Sequence, residues 1–198
     1  MAVKATIFKI DLEIADMDRG YYGSHALTIA RHPSETSERM MIRVLAFALC
    51  AHERLEFGTG ISTADEPDLW RRSLTGDIEH WIEIGQPDPR RIHKGCGRAG
   101  SVSVYLYGGR KAATWWEQER AGLERHSNLT VTLLDSEQTA KLAELADRGI
   151  SIQCNIQDGD VWMMRDSMSV EITPVVLLRG GDGPRGAAPT RGASGPGL

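Results

Sequence analysis

"EPDLWRRSLTGDIEHWIEIGQPDP", Glu66 to Pro89, decides how the chain folds, because one short run writes a strand, a turn, a second strand and the start of a helix. "EPDLW" and "DIEHWIEIG" read as strands joined through "RSLTG", and Pro89 stands near the first turn of a helix through "PDPRRIHKGCGRAG". The period of two along the second strand puts Asp77, Glu79, Trp81, Glu83 and Gly85 on one face. Ile78, His80, Ile82 and Ile84 occupy the other, and one face is expected to be core. The acids read either as a solvated sheet surface or as part of a cation site. Glu79 and Glu83 are about 13 Å apart along the strand, too far to share an ion. Asp68 is the natural partner: an antiparallel pairing through the turn brings it within one diagonal step of the Trp81 to Glu83 region. Two converging carboxylates suit a hard divalent cation such as Mg²⁺, which activates water against a phosphodiester.

Working outward, "KATIFKIDLEIAD" and "HALTIARH" alternate with period two around "RGYYG", as an opening hairpin does. The pattern after Pro33-Ser34-Glu35-Thr36 switches to helical spacing through Met41, Ile42, Leu45 and Leu49. Glu38 lies in line with this apolar stripe, either as a site acid aimed at the core edge or as a first-turn partner of the helix dipole. Further on come "RLEFG", the buried-type strand "SVSVYLYGG", a helix through "KAATWWEQERAGLE", the strand "NLTVTLL" and a helix in "SEQTAKLAELADR". The strands "ISIQCNIQ", "VWMMR" and "SVEI" follow, so the class is mixed α/β. Residues 1–178 are expected to form one domain, and 179–198, rich in Gly, Pro and Ala, a flexible tail.

Composition narrows the chemistry. A net charge of −4 gives no global attraction to nucleic acid, so binding needs a local basic patch. Arg90, Lys94 and Arg98 supply one at i, i+4 and i+8, with Arg91 and His93 beside them and Arg71 and Arg72 as possible additions. Gly95 and Gly97 in the same helix suggest close backbone packing or the approach of a ligand. Trp115 and Trp116 read as core and rim rather than as a base-stacking platform, and the Gly-Gly of "YGGRK" as a plain turn before a helix. Three scattered cysteines, Cys50, Cys96 and Cys154, fit reduced structural thiols. No leader pattern or membrane-length apolar run is evident, so a cytoplasmic protein without membrane contact is expected. No Gly-x-Ser-x-Gly elbow, Cys-His pair or zinc spacing offers another chemistry.

"KATIFKIDLEIADMDRGYY", "IARHPSETSERMMIRVLAFAL", "STADEPDLW", "LTGDIEHWIEIGQPD", "KGCGRA", "VYLYGGR" and "NLTVTLL" together resemble the YaeQ family of small bacterial proteins, over roughly Met1 to Thr173. The resemblance implies a variant of the restriction-endonuclease-like PD-(D/E)xK fold, a central mixed β-sheet flanked by helices plus extra strands, with core order helix, three strands, helix, strand. It also implies that Asp68, after its proline, and Glu83 on the next strand bind Mg²⁺ or Mn²⁺, with Glu38 as a third or outer acid. The PD-(D/E)xK superfamily pattern places a lysine two residues past the second acid to orient the attacking water; here that position is Gly85, which leaves Gln86 or Lys94 for the role. The expected function is metal-dependent phosphodiester hydrolysis on nucleic acid, gripped by Arg90, Arg91, Lys94 and Arg98. The alternative is a non-catalytic regulatory or nucleic-acid- or protein-binding factor on a degenerate nuclease scaffold.

Overall fold

Alternating apolar residues build the first two strands. β1 (Thr6–Asp16) buries Phe8, Ile10, Leu12 and Ile14, and β2 (Tyr21–Arg31) returns antiparallel with Leu27 and Ile29 buried. The computed structural model describes residues 5–58 and 66–180; the loop "TGISTAD" and residues 181–198 of the expected tail lie outside the described residues. Thr36 then caps α1 (Ser37–Leu49), its hydroxyl accepting from the Arg39 N–H at 3.1 Å. From Met40 to Ala48 every α1 residue is buried, because strands pack on it from two sides.

Those two sides are two separate sheets. β3 (Leu55–Phe57), β4 (Leu69–Arg72), β5 (Ile78–Ile84), β6 (Ala99–Leu106), β7 (Leu129–Leu133) and β11 (Val175–Leu178) form one, in the order β11-β7-β6-β5-β4-β3. β5, β6 and β7 run parallel, and the outer pairings are antiparallel. The parallel crossovers are made by α2 (Pro89–Arg98) and α3 (Arg110–Leu123), which cover the face bearing Trp81, Val102, Val104 and Leu106. The second sheet, β10-β9-β8-β1-β2, adds β8 (Gly149–Gln157), β9 (Asp160–Arg165) and β10 (Met168–Ile172) to the opening hairpin. α4 (Ser136–Glu144) sits beside α1 in the core between the sheets, contributing Leu142. The expected order of helix, three strands, helix, strand is present as α1, β3, β4, β5, α2, β6.

Three expectations change. β5 is not a half-buried strand with one wet face: from His80 to Ile84 every residue is buried, because β5 lies inside the sheet with helices on both sides. The strands outside the central sheet are not decorations but a five-stranded sheet of their own. "VVLL" before the tail, left unassigned by sequence, forms edge strand β11 against β7. The three cysteines are free thiols; burial pushes that of Cys154 up to about 12, as befits a packing residue. No described helix is long and apolar enough to cross a membrane.

Candidate metal-binding active site

The β4–β5 pairing sets the site. Leu69 pairs with Ile82, and one step further along the same register Asp68 faces Glu83 across the mouth of a shared cavity. Both are buried, at 9% and 3% exposure. Asp68 is clamped from two sides, with Oδ2 accepting the Ile84 N–H at 2.8 Å and Oδ1 accepting Arg39 Nη2 at 2.5 Å. Glu83 Oε1 accepts from the Trp81 indole at 2.9 Å and from Arg91 Nη2 at 3.0 Å. A cavity of about 350 Å³ opens over the pair, lined also by Glu66, Gln86, Arg39, Arg91 and Tyr107.

The electrostatics are unbalanced. Burial, helped by the charge of Asp68, raises the Glu83 carboxyl above its ordinary value, and Arg91 with Trp81 offsets this only in part. The Tyr107 phenol is raised too, first by burial and then by the acids Glu38, Asp68 and Glu35, against the pull of Arg39. Burial is the larger cause in both groups, and the neighbouring acids add to it.

The expected residues divide. Asp68, Glu83 and Gln86 meet in the cavity, Gln86 anchored by donating its side-chain amide to the Tyr107 carbonyl. Glu38 does point toward the core, where its carboxylate accepts from Thr139 of α4 at 2.7 Å, and it is not part of the cavity lining. Lys94 is half-buried on α2 and is not part of that lining. Arg91 leaves the outer basic face and turns inward to Glu83 and to the Glu66 carbonyl at 2.7 Å; Arg90 and Arg98 remain exposed. Arg71 and Arg72 do not extend the patch, since they pair with Glu79 and Glu56. Gly85 has φ +90°, so the chain leaves β5 by a turn that an L side chain strains to adopt, and a lysine there would be both strained and misdirected.

The sequence reading missed the cations. Arg39 links Asp68 to Glu35 at 3.0 Å, and Glu35 also holds the buried Arg43 at 3.2 Å. Arg43, Glu35, Arg39 and Asp68 thus form a chain of alternating charge that ends at the cavity. The available signal was Arg43 sitting amid Met40, Met41, Ile42, Val44 and Leu45, where an arginine needs a buried partner.

Gly95 and Gly97 part company as well. A Cβ at Gly95 would come within 3.0–3.1 Å of the Trp81 indole, whose N–H holds Glu83, whereas nothing lies within 4 Å at Gly97. Gly97→Ala is expected to raise stability by up to about 1 kcal/mol through helix propensity. Gly95→Ala should lose more than that gain, since overpacking against a rigid buried ring costs about 1–3 kcal/mol. Urea denaturation of both variants checks the pair; equal effects would mean that Trp81 yields freely.

The comparisons with known proteins place this architecture. The family model "YaeQ protein" matches residues 1–174. The proteins named "Uncharacterized protein YaeQ" of Salmonella typhi and Escherichia coli are 46% and 45% identical to the chain, each over 87% of it and over 97% and 95% of their own lengths. The crystal structure of the YaeQ protein from Xanthomonas axonopodis pv. citri superposes with a TM-score of 0.86 at 51% identity, covering 88% of this chain and 99% of that one. That of the YaeQ protein from Pseudomonas syringae gives 0.83 at 36% identity, over 88% and 96%. The fold, the two sheets and the cavity at the end of β5 therefore belong to a member of the YaeQ family.

Proposed function

We propose that the Asp68–Glu83 cavity binds a divalent cation, Mg²⁺ or Mn²⁺, and hydrolyses phosphodiester bonds in nucleic acid, on a variant of the restriction-endonuclease-like PD-(D/E)xK fold. The observation that carries this reading is the pair of opposed buried carboxylates, one of them held above its ordinary pKa by burial and by the other's charge. A cation between them removes that imbalance. Among the described residues no three His, Cys, Asp or Glu side chains gather into a full cage. Mg²⁺ suits such a site, since it is usually bound through one or two carboxylates and keeps several waters.

Asp68 and Glu83 would be the ligands, with waters in the remaining positions. The cation would supply a bound water made more acidic as the nucleophile, and positive charge for the phosphate oxygens of the pentacoordinate transition state. Gln86, braced by the Tyr107 carbonyl, is the side chain placed to orient water. Arg39 and Arg91 bring guanidinium groups to the cavity wall, the charge type and shape that fit phosphate oxygens. Arg90 and Arg98, with Lys94 between them, offer a basic approach for the polynucleotide backbone on the outer face of α2.

One observation favours a second reading. Each carboxylate already has an arginine and an N–H, so the network is satisfied as a metal-free structural site, and Gly85 stands where the PD-(D/E)xK pattern has lysine. This is the non-catalytic nucleic-acid- or protein-binding factor. Calorimetric titration of Mg²⁺ and Mn²⁺ into wild type and Glu83→Ala, followed by a cleavage screen over single-stranded, duplex and branched DNA and RNA, separates the two. Metal binding lost in the variant, together with metal-dependent cleavage by wild type, is the expected result. Nucleic-acid binding indifferent to EDTA, with no turnover, would establish the second reading instead.

A further inference from the structure

The turn after β6 brings α3 against the rim of the same cavity. Gln86 lines both the acidic cavity and a second, shallower one of about 510 Å³, whose other walls are Arg110, Lys111, Thr114, Trp115 and Gln118. Helical spacing explains the group: residues 110, 114 and 118 form one row and 111 and 115 the next, so that all five share the outer face of α3. The neighbouring Trp116 is buried in the core, whereas Trp115 is half-exposed at the rim with one side packed on that core. The volume lies within the range of about 300–1,000 Å³ typical of small-molecule sites.

We propose that this cavity is a base-stacking subsite for an unpaired nucleic-acid strand, in which Trp115 stacks on a base while Arg110 and Lys111 contact the adjoining phosphates. The inference rests on the phosphodiesterase reading for its geometry, since Gln86 lines both cavities, and it names the substrate of that site as single-stranded. The argument for this occupant has three parts. Two exposed cations flank one indole in a chain whose net charge is −4, so the patch is complementary to phosphate where the protein as a whole is not. An indole supported from behind by the core presents a fixed π-face, which any base can use. Gln118, Thr114 and Gln86 ring the indole with hydrogen-bonding groups that accept base edges in more than one orientation. A duplex keeps its bases stacked on one another and cannot offer one to Trp115, so pairing state decides binding.

The test is fluorescence anisotropy with labelled oligo-dT, oligo-U and a duplex of the same length, in EDTA at low salt, so that cleavage plays no part. Wild type is expected to bind the single strands more tightly than the duplex. Trp115→Leu should weaken single-strand binding by about 5- to 100-fold, the range for losing one base–aromatic stack. Trp115→Phe, which keeps a π-face, should restore most of it, and this rescue separates stacking from a fold defect. Arg110→Ala with Lys111→Ala, both on the exposed surface, should weaken binding and flatten its salt dependence. Equal binding by wild type and Trp115→Leu, a preference for the duplex, or no single-strand binding by wild type would overturn the subsite. Trp115-dependent binding with no cleavage under any metal would leave the subsite standing and sink the phosphodiesterase reading. Cleavage by wild type with Trp115→Leu unchanged in binding would do the reverse.

Discussion

Glu35→Ala is expected to destabilise the fold by about 3–5 kcal/mol, the cost of breaking a buried ion pair by removing one partner. Glu35 pairs with two arginines, Arg39 at 3.0 Å and Arg43 at 3.2 Å, and its own side chain is 1% exposed. Arg43 is the one that sets the magnitude. It is buried in the middle of α1 among methionines and leucines, with its guanidinium over the Phe57 ring, so losing the carboxylate leaves a charge with its desolvation uncompensated. Arg39 loses less, since it keeps Asp68. Urea unfolding at neutral pH measures the loss, and two further variants show its cause. Glu35→Gln retains an acceptor and should cost clearly less. Arg43→Met in the Glu35→Ala background should recover much of the stability, because a hydrophobic side chain in an apolar site carries no desolvation penalty. Removing the surface pair Arg120–Glu124, whose side chains are about half exposed, should change stability by less than about 1 kcal/mol. A Glu35→Ala effect as small as that would mean that Arg43 swings to solvent and that the charge chain is not structural.

Much of the fold was legible because its signals are local. Thr36 before an apolar helical stripe, Pro89 at the start of α2, and the alternation in β1 each depend on residues within a few positions of one another. The Asp68–Glu83 juxtaposition was legible for the same reason, since a short hairpin fixes register across its turn. The misreadings required knowledge of partners distant in sequence. β5 looked half-wet because Glu79 and Glu83 break its apolar run, but its neighbours β4 and β6 and the helices α1 and α2 bury it on both faces. Glu79 stays partly exposed, where Arg54 and Arg71 hold it. Glu38 was placed toward the core correctly, yet which site it served depended on Thr139, about a hundred residues on. Arg91 was counted with the outer basic face because i, i+4 spacing groups Arg90, Lys94 and Arg98 and leaves position 91 about 100° away, and that angle is what turns it into the cavity. The cations that shape the site came from α1, an element whose sequence reads almost wholly as core.

Asp68→Asn is expected to reduce divalent-cation affinity by at least about 100-fold and to move the pH dependence of what binding remains toward lower pH. The first effect follows from removing one of two carboxylate ligands; even outer-shell changes at metal sites cost about 10- to 100-fold. The second follows from Glu83. In wild type its folded pKa is raised by burial and by the charge of Asp68, so a cation must displace a proton at pH values where an ordinary glutamate is already ionised. Affinity should therefore rise with pH above 4.5, level off above the folded value of Glu83, and be accompanied by proton release below it. With asparagine at 68 the charge contribution is gone while burial stays, so the midpoint falls. The same shift acts on stability with a fixed sign. A raised carboxyl favours the folded state below its unfolded pKa, and that contribution is lost as pH rises through the folded pKa. Asp68→Asn should keep more of its stability from this group above that window. It also pays elsewhere: asparagine offers one carbonyl to two donors, Arg39 and the Ile84 N–H, so its amino group faces one of them at a cost of about 1–3 kcal/mol. Carbon-13 titration of the glutamate carboxyls, with calorimetry in two buffers of different ionisation heat, reads both consequences. An unchanged Glu83 midpoint in Asp68→Asn would mean that the two carboxylates do not sense each other, and a shared cation would lose its physical basis.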